Sequence, residues 1–191
     1  MTTSLHLASS SRRRREILAA LGLTFTAAGV DVCEQRLASE APEEMVVRLA
    51  VLKARAAIAD AAQIVIAADT AVVLGDIVFG KPQGREHALE ILAQLSGRRH
   101  KVMTGVATLA GTRLQTALSV TEVSFRQIRP DEARAYWQSG EPHDKAGAYA
   151  IQGRGGAFVR SIAGSYSGVV GLPVFETAAL LQNAGLDVVT R

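Results

Sequence analysis

A single carboxylate at the end of an apolar run is the residue of this sequence with the clearest chemical potential. Residues 64–68 are apolar, the run stops at Asp69, and Thr70 follows. A run of this kind is typical of a central strand, and ligands bind where such strands end. We therefore expect Asp69 to lie at the rim of a sheet, where it is either a functional acid or the cap of a turn.

Four consecutive arginines, residues 12–15, follow three serines at positions 9–11. The apolar stretch before them and the amphipathic stretch after them predict a strand, a turn and a helix that the serines cap and Gly22 ends. Cations on a first helical turn oppose the helix dipole unless an anion lies nearby, and guanidinium groups match phosphate geometry. The hydroxyls of Ser9 and Ser11 and the guanidinium of Arg13 are thus predicted to bind phosphate.

Glu34, Lys53, Lys81 and Gln152 could complete such a site. Glu34 lies in a polar loop, residues 31–41, and Lys53 in a helix predicted from Pro42 to about residue 61. Lysine is scarce in this arginine-rich chain, so a retained lysine suggests a point charge with a role. Each assignment alone is weak, because Lys53 is also compatible with a solvated helix face and Glu34 with an acid in a surface loop.

Hydrolysis of a phosphoanhydride needs cations for the phosphates, oxygen ligands for a divalent ion and a deprotonated water. Asp69 and Glu34 could serve the ion and the water, while Arg13, Lys53 and Lys81 neutralise the polyphosphate. The expected ion is Mg²⁺ or Mn²⁺, because these ligands are hard oxygens.

Composition and missing motifs exclude several other classes. No stretch approaches the roughly eighteen apolar residues of a membrane helix, and the N-terminus lacks signal-peptide features, so we expect no membrane partner and a cytoplasmic location. The lone Cys33 excludes an internal disulfide and argues against structural zinc. The four histidines have no metal-binding spacing and are predicted to be structural. The chain has no nucleophile elbow, Walker A loop or dinucleotide fingerprint.

The order of predicted elements indicates a mixed α/β protein with a cleft, folded as one domain over residues 1–191. A hairpin is predicted at Gly75-Asp76, two antiparallel strands are joined through Gly111-Thr112, and helices are predicted over residues 85–95, 130–139 and 173–184. A glycine-rich segment, residues 145–156, separates the last strand and helix from the rest.

Five ordered motifs together resemble the Maf family of nucleotide pyrophosphatases. They span nearly the whole chain and comprise residues 9–14 (SSSRRR), 68–70 (ADT), 80–82 (GKP), 96–106 (SGRRHKVMTGV), and 145–153 with 164–173. The resemblance implies an α/β fold with a two-lobed, mixed twisted sheet flanked by helices and a central cleft, similar to inosine triphosphate pyrophosphatases. It also implies metal-dependent hydrolysis of nucleoside triphosphates to monophosphate and pyrophosphate, and allows a homodimer.

By position, Asp69 resembles the family's proton acceptor, and Arg13, Thr70 and Gln152 match positions tied to substrate choice. Glu34, Lys53 and Lys81 match residues that line the metal and phosphate site, with Asp69 and Glu34 as the metal ligands. The stretch around Gln152 resembles the branch that acts on dTTP and UTP, and an amide suits the imide edge of uracil or thymine.

Two positions depart from the family pattern. Arg12 replaces the usual Pro, which adds a cation, and Cys33 replaces an Asp that many members have before Glu34.

The same chemistry could act on a purine nucleotide or 7-methyl-GTP. The chain could instead be a non-catalytic regulator of septum formation or cell division that binds nucleotide or nucleic acid. Few aromatic residues lie near the arginines, so nucleic acid is not the expected partner.

Overall fold

The computed structural model describes residues 4–57 and 63–190. The strands and helices of these residues are β1 Ser4–Ala8, α1 Arg12–Ala20, β2 Phe25–Ala28, α2 Pro42–Ala56, β3 Gln63–Leu74, β4 Ile77–Phe79, α3 Arg85–Leu95, β5 Arg99–Ala110, β6 Arg113–Phe125, α4 Pro130–Gln138, β7 Val159–Ala163, α5 Tyr166–Val170 and α6 Val174–Asn183. Two short 3-10 helices, Ala146–Ala148 and Arg154–Phe158, lie in the glycine-rich segment. No helix among the described residues is long and apolar enough to cross a membrane.

The strands form one mixed sheet in the order β2-β1-β3-β5-β6-β7, and β4 pairs with β3 outside this path. β1 is parallel to both β2 and β3, whereas β4 and β7 are antiparallel to their partners. The prediction of a mixed α/β fold with helices around the sheet is confirmed.

The chain divides into two compact units, as the two-lobed prediction requires. The first unit contains the described residues up to Asp69, Thr104–Ser119 and those from Gly171 onward; the second contains Thr70–Met103 and Val120–Val170. The central cleft stays a prediction, as does the single domain over residues 1–191.

The core of the first unit is built from the parallel strands and the helices that cover them. Leu5 and Leu7 alternate inward on β1, and Ile64 and Ile66 do so on β3. Helices α1 and α6 add buried leucines to the same cluster, including Leu18. Buried parallel strands of this kind need apolar residues on both faces, so the run at 64–68 is apolar throughout.

The core of the second unit is more aromatic and lies around α3 and α4. Phe125, Tyr136, Tyr149 and Phe158 pack edge to face with each other or with His100, at centroid separations of 4.8–6.2 Å. Edge-to-face pairs of this geometry add stability beyond the area they bury. His100 is 2 % exposed and its Nε2 lies 2.9 Å from the Tyr149 hydroxyl, which agrees with the structural role predicted for the histidines.

The predicted end of a strand at Asp69 is wrong. β3 continues to Leu74, because a second apolar run, Ala71, Val72 and Val73, is buried after Asp69 and Thr70. The neighbouring strand β1 does end here: it stops at Ala8, and its Leu7 is paired with Ile66. Asp69 therefore lies at an edge of the sheet because its neighbour β1 ends there, whereas β3 itself continues.

Two further boundaries differ from the sequence predictions. Helix α2 ends at Ala56, because Ala57 has extended dihedrals of φ −69° and ψ 127°; the rest of the predicted extension, residues 58–62, lies outside the described residues. Ser11 occupies the N-cap position of α1, but its side chain makes no capping hydrogen bond. Gly22, with φ +72°, follows α1 as predicted, and the hairpin at Gly75 joins β3 to β4.

Candidate active site

Three charged side chains of the first unit form a carboxylate–lysine cluster, consisting of Glu34, Lys53 and Asp69. The Lys53 Nζ lies 2.6 Å from Asp69 Oδ1 and 2.6 Å from Glu34 Oε1. The Lys53 and Asp69 side chains are 11 % and 14 % exposed, whereas Glu34 is 56 % exposed. One ammonium group thus binds two predicted site carboxylates, of which Asp69 is largely enclosed and Glu34 is open to solvent.

Helix α2 delivers Lys53 from its buried face. Val46, Leu49, Ala50 and Ala54 are buried at helical spacing, and Lys53 occupies the same stripe. The helix packs closely, because a Cβ on Gly105 would overlap the backbone of Val46. A lysine in an apolar stripe is costly to bury unless its charge is paired, and the two carboxylates supply that pairing.

The surroundings of Asp69 make it a stronger base than a solvated aspartate. Burial raises the pKa of Asp69 above its usual value, and Glu34 adds to this rise. The ammonium of Lys53 and the guanidinium of Arg14 act in the opposite direction but do not cancel the effect of burial. A carboxylate with a raised pKa in a partly enclosed position is suited to accept a proton from water.

Arg14 belongs to the same electrostatic environment, although sequence reasoning chose Arg13. Its Nε donates to the Gly171 carbonyl at 2.8 Å and its Nη1 to the Ser9 hydroxyl at 3.2 Å. Burial lowers the pKa of Arg14, while Asp69 and Glu34 raise it and the charge of Arg13 lowers it further. The helical phase of α1 could have suggested this, because Arg14 lies four residues before the buried Leu18.

Ser9 and Ser11 are placed at the turn between β1 and α1. Ser9 is buried, and its hydroxyl accepts the Ser11 backbone N–H at 3.2 Å in addition to the Arg14 bond. Arg13 is half-buried on the first turn of α1, whereas Arg12 is exposed and paired with Glu16. The structure thus brings Ser9, and not only the arginines, into the polar environment predicted for a phosphate.

A second ion pair fixes the loop that presents Glu34, and sequence reasoning missed it. Arg48 on α2 binds the buried Glu40 carboxylate through Nε at 2.5 Å and Nη2 at 2.8 Å, and its Nη2 also donates to the Gln35 carbonyl at 3.1 Å. The hydrogen bonds from Arg48 lower the pKa of Glu40 to about 2. The pair therefore ties the loop to α2 at the residue after Glu34; no pattern in the sequence marks it.

The other predicted site residues lie in the second unit. Thr70 follows Asp69 on β3 and is half-buried, while Lys81 and Gln152 have exposed side chains. The turn that holds Lys81 is anchored where the Gly80 carbonyl accepts the Gly147 N–H at 3.1 Å. Gly147 must be glycine, because it has φ +70° and a Cβ there would lie 2.8 Å from the Val72 side chain.

The carboxylates of the cluster fit a divalent ion that substrate oxygens and water help to hold. Among residues 4–57 and 63–190, no group of three or more His, Cys, Asp or Glu side chains could hold a metal by itself. Mg²⁺ commonly binds through one or two carboxylates together with substrate phosphates and water. Asp69 and Glu34 match that donor set, and the exposed Cys33 does not contribute an oxygen ligand.

A family model for Maf-like proteins matches residues 4–184, and the chain belongs to this family. Relatives over 95 % of the chain are named "dTTP/UTP pyrophosphatase". They include proteins of Methylococcus capsulatus, 53 % identical over 91 % of its length, and of Yersinia pestis and Escherichia coli O157:H7, 52 % and 50 % identical over 93 % of theirs.

Solved structures of Ham1 proteins are similar to part of the chain. The Staphylococcus aureus protein has a TM-score of 0.45 and 15 % identity over 64 % of this chain and 72 % of its own. The Coxiella burnetii protein has a TM-score of 0.47 and 16 % identity over 65 % of this chain and 73 % of its own.

Proposed function

We propose that this protein hydrolyses dTTP and UTP to the nucleoside monophosphate and pyrophosphate. The observation on which the proposal depends is the partly buried Asp69 carboxylate, which lies 2.6 Å from the Lys53 ammonium that also binds Glu34. The names of relatives that are 50–53 % identical over 95 % of the chain support the choice of substrate.

Asp69 acts as the general base in this proposal. It takes a proton from the water that attacks the phosphoanhydride, while Lys53 fixes the orientation of the carboxylate. Because burial raises the pKa of Asp69, the carboxylate binds that proton more strongly than an exposed aspartate would. A positioned general base of this kind contributes roughly 10²–10⁴-fold to the rate.

The cations of the chain bind the triphosphate. In the first unit we assign this role to Arg13, Arg14 and the Ser9 and Ser11 hydroxyls, and in the second unit to Lys81. A divalent cation, Mg²⁺ or Mn²⁺, would be held by Asp69 and Glu34 and would neutralise phosphate charge and polarise the attacked phosphorus. A guanidinium group can donate to two phosphate oxygens at once, whereas the Lys81 ammonium acts as a point charge.

Gln152 and Thr70 select the base in this proposal. The Gln152 amide can donate to one carbonyl oxygen of uracil or thymine and accept the imide N–H, a pair of groups that adenine lacks. A site built around such a pair rejects bases that leave the amide unpaired. We assign Arg13 to the choice of substrate as well, as its position in the family motif suggests.

The test is pyrophosphate release from a nucleotide panel of dTTP, UTP, dCTP, dGTP and 7-methyl-GTP. We expect turnover of dTTP and UTP with Mg²⁺ or Mn²⁺, and loss of that turnover with a chelator. Release of pyrophosphate from dGTP or 7-methyl-GTP alone would contradict the pyrimidine assignment. If no nucleotide of the panel yields pyrophosphate with either metal, the enzymatic assignment fails.

A further inference from the structure

The glycine-rich segment of the second unit forms a tight turn with Gln152 near its apex. The Gly153 N–H donates to the Ala150 carbonyl at 3.3 Å, which closes a four-residue turn with Ile151 and Gln152 in its centre. We call residues 150–153 the Gln152 turn. The Gln152 side chain is exposed, whereas Ala150 at the start of the turn is buried.

Tyr136 on helix α4 holds the first residue of this turn. Its hydroxyl accepts the Ala150 backbone N–H at 3.0 Å and donates to Glu141 Oε1 at 2.7 Å. The Tyr136 ring is 4 % exposed and packs perpendicular to Phe158 at 5.1 Å, so its hydroxyl has a fixed position.

Glu141 holds the residues that follow the turn. Its Oε2 accepts the Arg154 N–H at 2.9 Å and its Oε1 accepts the Gly155 N–H at 3.0 Å. Desolvation raises the pKa of Glu141, but the hydrogen bonds from Gly155, Tyr136 and Arg154 outweigh it and leave the pKa below its usual value. The group is therefore a carboxylate near neutral pH and accepts every one of these bonds.

The glycines around the turn leave room for this arrangement. A Cβ on Gly153 would overlap the Glu141 carboxylate, although the φ of −116° at this residue is open to any amino acid. A Cβ on Gly155 would lie 2.6 Å from the Tyr136 hydroxyl. Close approach of the two side chains, rather than an unusual backbone angle, thus explains both glycines.

We infer that Tyr136 and Glu141 are positioning residues for base selection, because their hydrogen bonds fix the backbone on both sides of Gln152. This inference rests on the proposed function, in which the Gln152 amide recognises uracil or thymine. An exposed amide on a loop without such hydrogen bonds adopts several orientations. A binding site that contains such a mobile amide discriminates poorly between nucleobases. The hydrogen bonds of the two residues go to each other and to the backbone of the turn and of the residues after it, so we assign them an effect on specificity through Gln152.

The test compares kcat/KM for dTTP and dCTP in Tyr136→Phe, Glu141→Gln and Tyr149→Phe. Glu141→Gln places an NH₂ group against a backbone N–H, whereas Tyr136→Phe removes only the hydroxyl. Tyr149→Phe is the matched control, because it removes another buried hydroxyl from the same core, one that contacts His100 and not the turn. We expect the dTTP to dCTP ratio to fall about tenfold in the first two variants, the effect of losing a well-made hydrogen bond, and to stay unchanged in the control.

The same measurement in a Gln152→Ala background separates positioning from general stability. If the two residues act through Gln152, adding Tyr136→Phe to Gln152→Ala causes no further fall in the ratio. Amide hydrogen exchange gives a readout without substrate: exchange at Arg154 and Gly155 should accelerate in Glu141→Gln.

Three results would overturn the inference. They are an equal loss for both nucleotides, a ratio change that persists in the Gln152→Ala background, and unchanged exchange at Arg154 and Gly155. In each of these cases a wild-type enzyme that hydrolyses dTTP leaves the proposed function intact. If the wild-type protein releases no pyrophosphate from dTTP or UTP, the proposed function fails and this inference fails with it.

Discussion

The two units hold their candidate site residues by different physical means. In the first unit the carboxylate–lysine cluster consists of two largely enclosed charges, Lys53 and Asp69, and the exposed Glu34 carboxylate, which bind one another directly. Arg14 adds its charge to the electrostatic environment of Asp69. In the second unit the Gln152 turn is held by hydrogen bonds from its backbone to Tyr136 and Glu141, and the side chain that it presents is neutral.

This difference predicts different consequences of mutation. Buried charges set the protonation and orientation of the groups that could cleave the phosphoanhydride, so their loss should slow the reaction of every nucleotide. Backbone hydrogen bonds set the position of an amide, so their loss should change the choice between bases while the rate for poor substrates stays the same. The following variants test that difference between the units.

Among the cations of the first unit, the largest effect is expected for Lys53→Met. Methionine keeps most of the volume of the side chain but removes the ammonium that holds Asp69 and Glu34, so the two carboxylates repel each other. We expect kcat to fall by about 10²–10³ for every nucleotide, as when one electrostatic group of an active site is removed. Lys101→Met, at an exposed position of β5, is the control. A fall confined to dTTP and UTP would argue that Lys53 takes part in base selection instead.

A smaller effect is expected for the arginines of α1, and it should differ sharply between neighbours. Arg14→Met removes a half-buried guanidinium that donates to Ser9 and Gly171, and we expect kcat/KM to fall roughly 10–10²-fold, the value of a charge-assisted hydrogen bond. Arg12→Met removes an exposed side chain that is paired with Glu16, a type of pair that contributes about 0–1 kcal/mol. Equal losses in the two variants would show that only the summed charge of the cluster matters.

The last effect is a pH dependence of folding stability, and it belongs to the second unit. Burial lowers the pKa of His100 to about 4, so the folded protein keeps this ring neutral between pH 6.5 and 4 while the unfolded chain binds a proton. Stability should therefore decrease as pH falls through this window, with a limiting slope of about 1.4 kcal/mol per pH unit. Urea unfolding at several pH values measures the slope, and His100→Gln should flatten it. An identical slope in wild type and variant would contradict this account.

Elements with local signals in the sequence were predicted well. Helix α3 begins after Gly84 and α4 begins at Pro130, close to the predicted positions, and the hairpin at Gly75 forms with the positive φ that this residue allows. In these cases the capping or turn residue lies within the element or directly before it, so neighbouring strands are not needed to locate the element.

The position of Asp69 shows what local signals omit. Its apolar neighbours correctly predicted a buried strand, but whether a strand continues depends on what packs against the following residues. Ala71 and Val72 are buried in the second unit, so β3 passes through Asp69 without a break. The edge that exposes Asp69 is set by β1, a segment about sixty residues earlier in the chain.

The positioning residues were missed for the same reason. Tyr136 and Glu141 meet because the chain turns after α4, and they reach Ala150 and Gly155 only once the glycine-rich segment has folded back. Neither residue type is unusual at its position, and a buried tyrosine on a helix is more often part of a core. The Glu34–Lys53 pair was likewise predicted as two members of a site, but not as a direct contact.

The most direct test compares one variant of the first unit with one variant of the second unit. It asks whether the first unit determines the rate of hydrolysis and the second unit the choice of nucleotide. We would measure kcat/KM for dTTP and dCTP in wild type, Asp69→Asn and Gln152→Ala. Loss of the general base in Asp69→Asn should lower kcat/KM for both nucleotides by roughly 10²–10⁴ and leave the ratio of the two values unchanged. Loss of the amide should lower the dTTP value about tenfold and spare dCTP. If Asp69→Asn stays within about tenfold of wild type, a general-base role for Asp69 is contradicted.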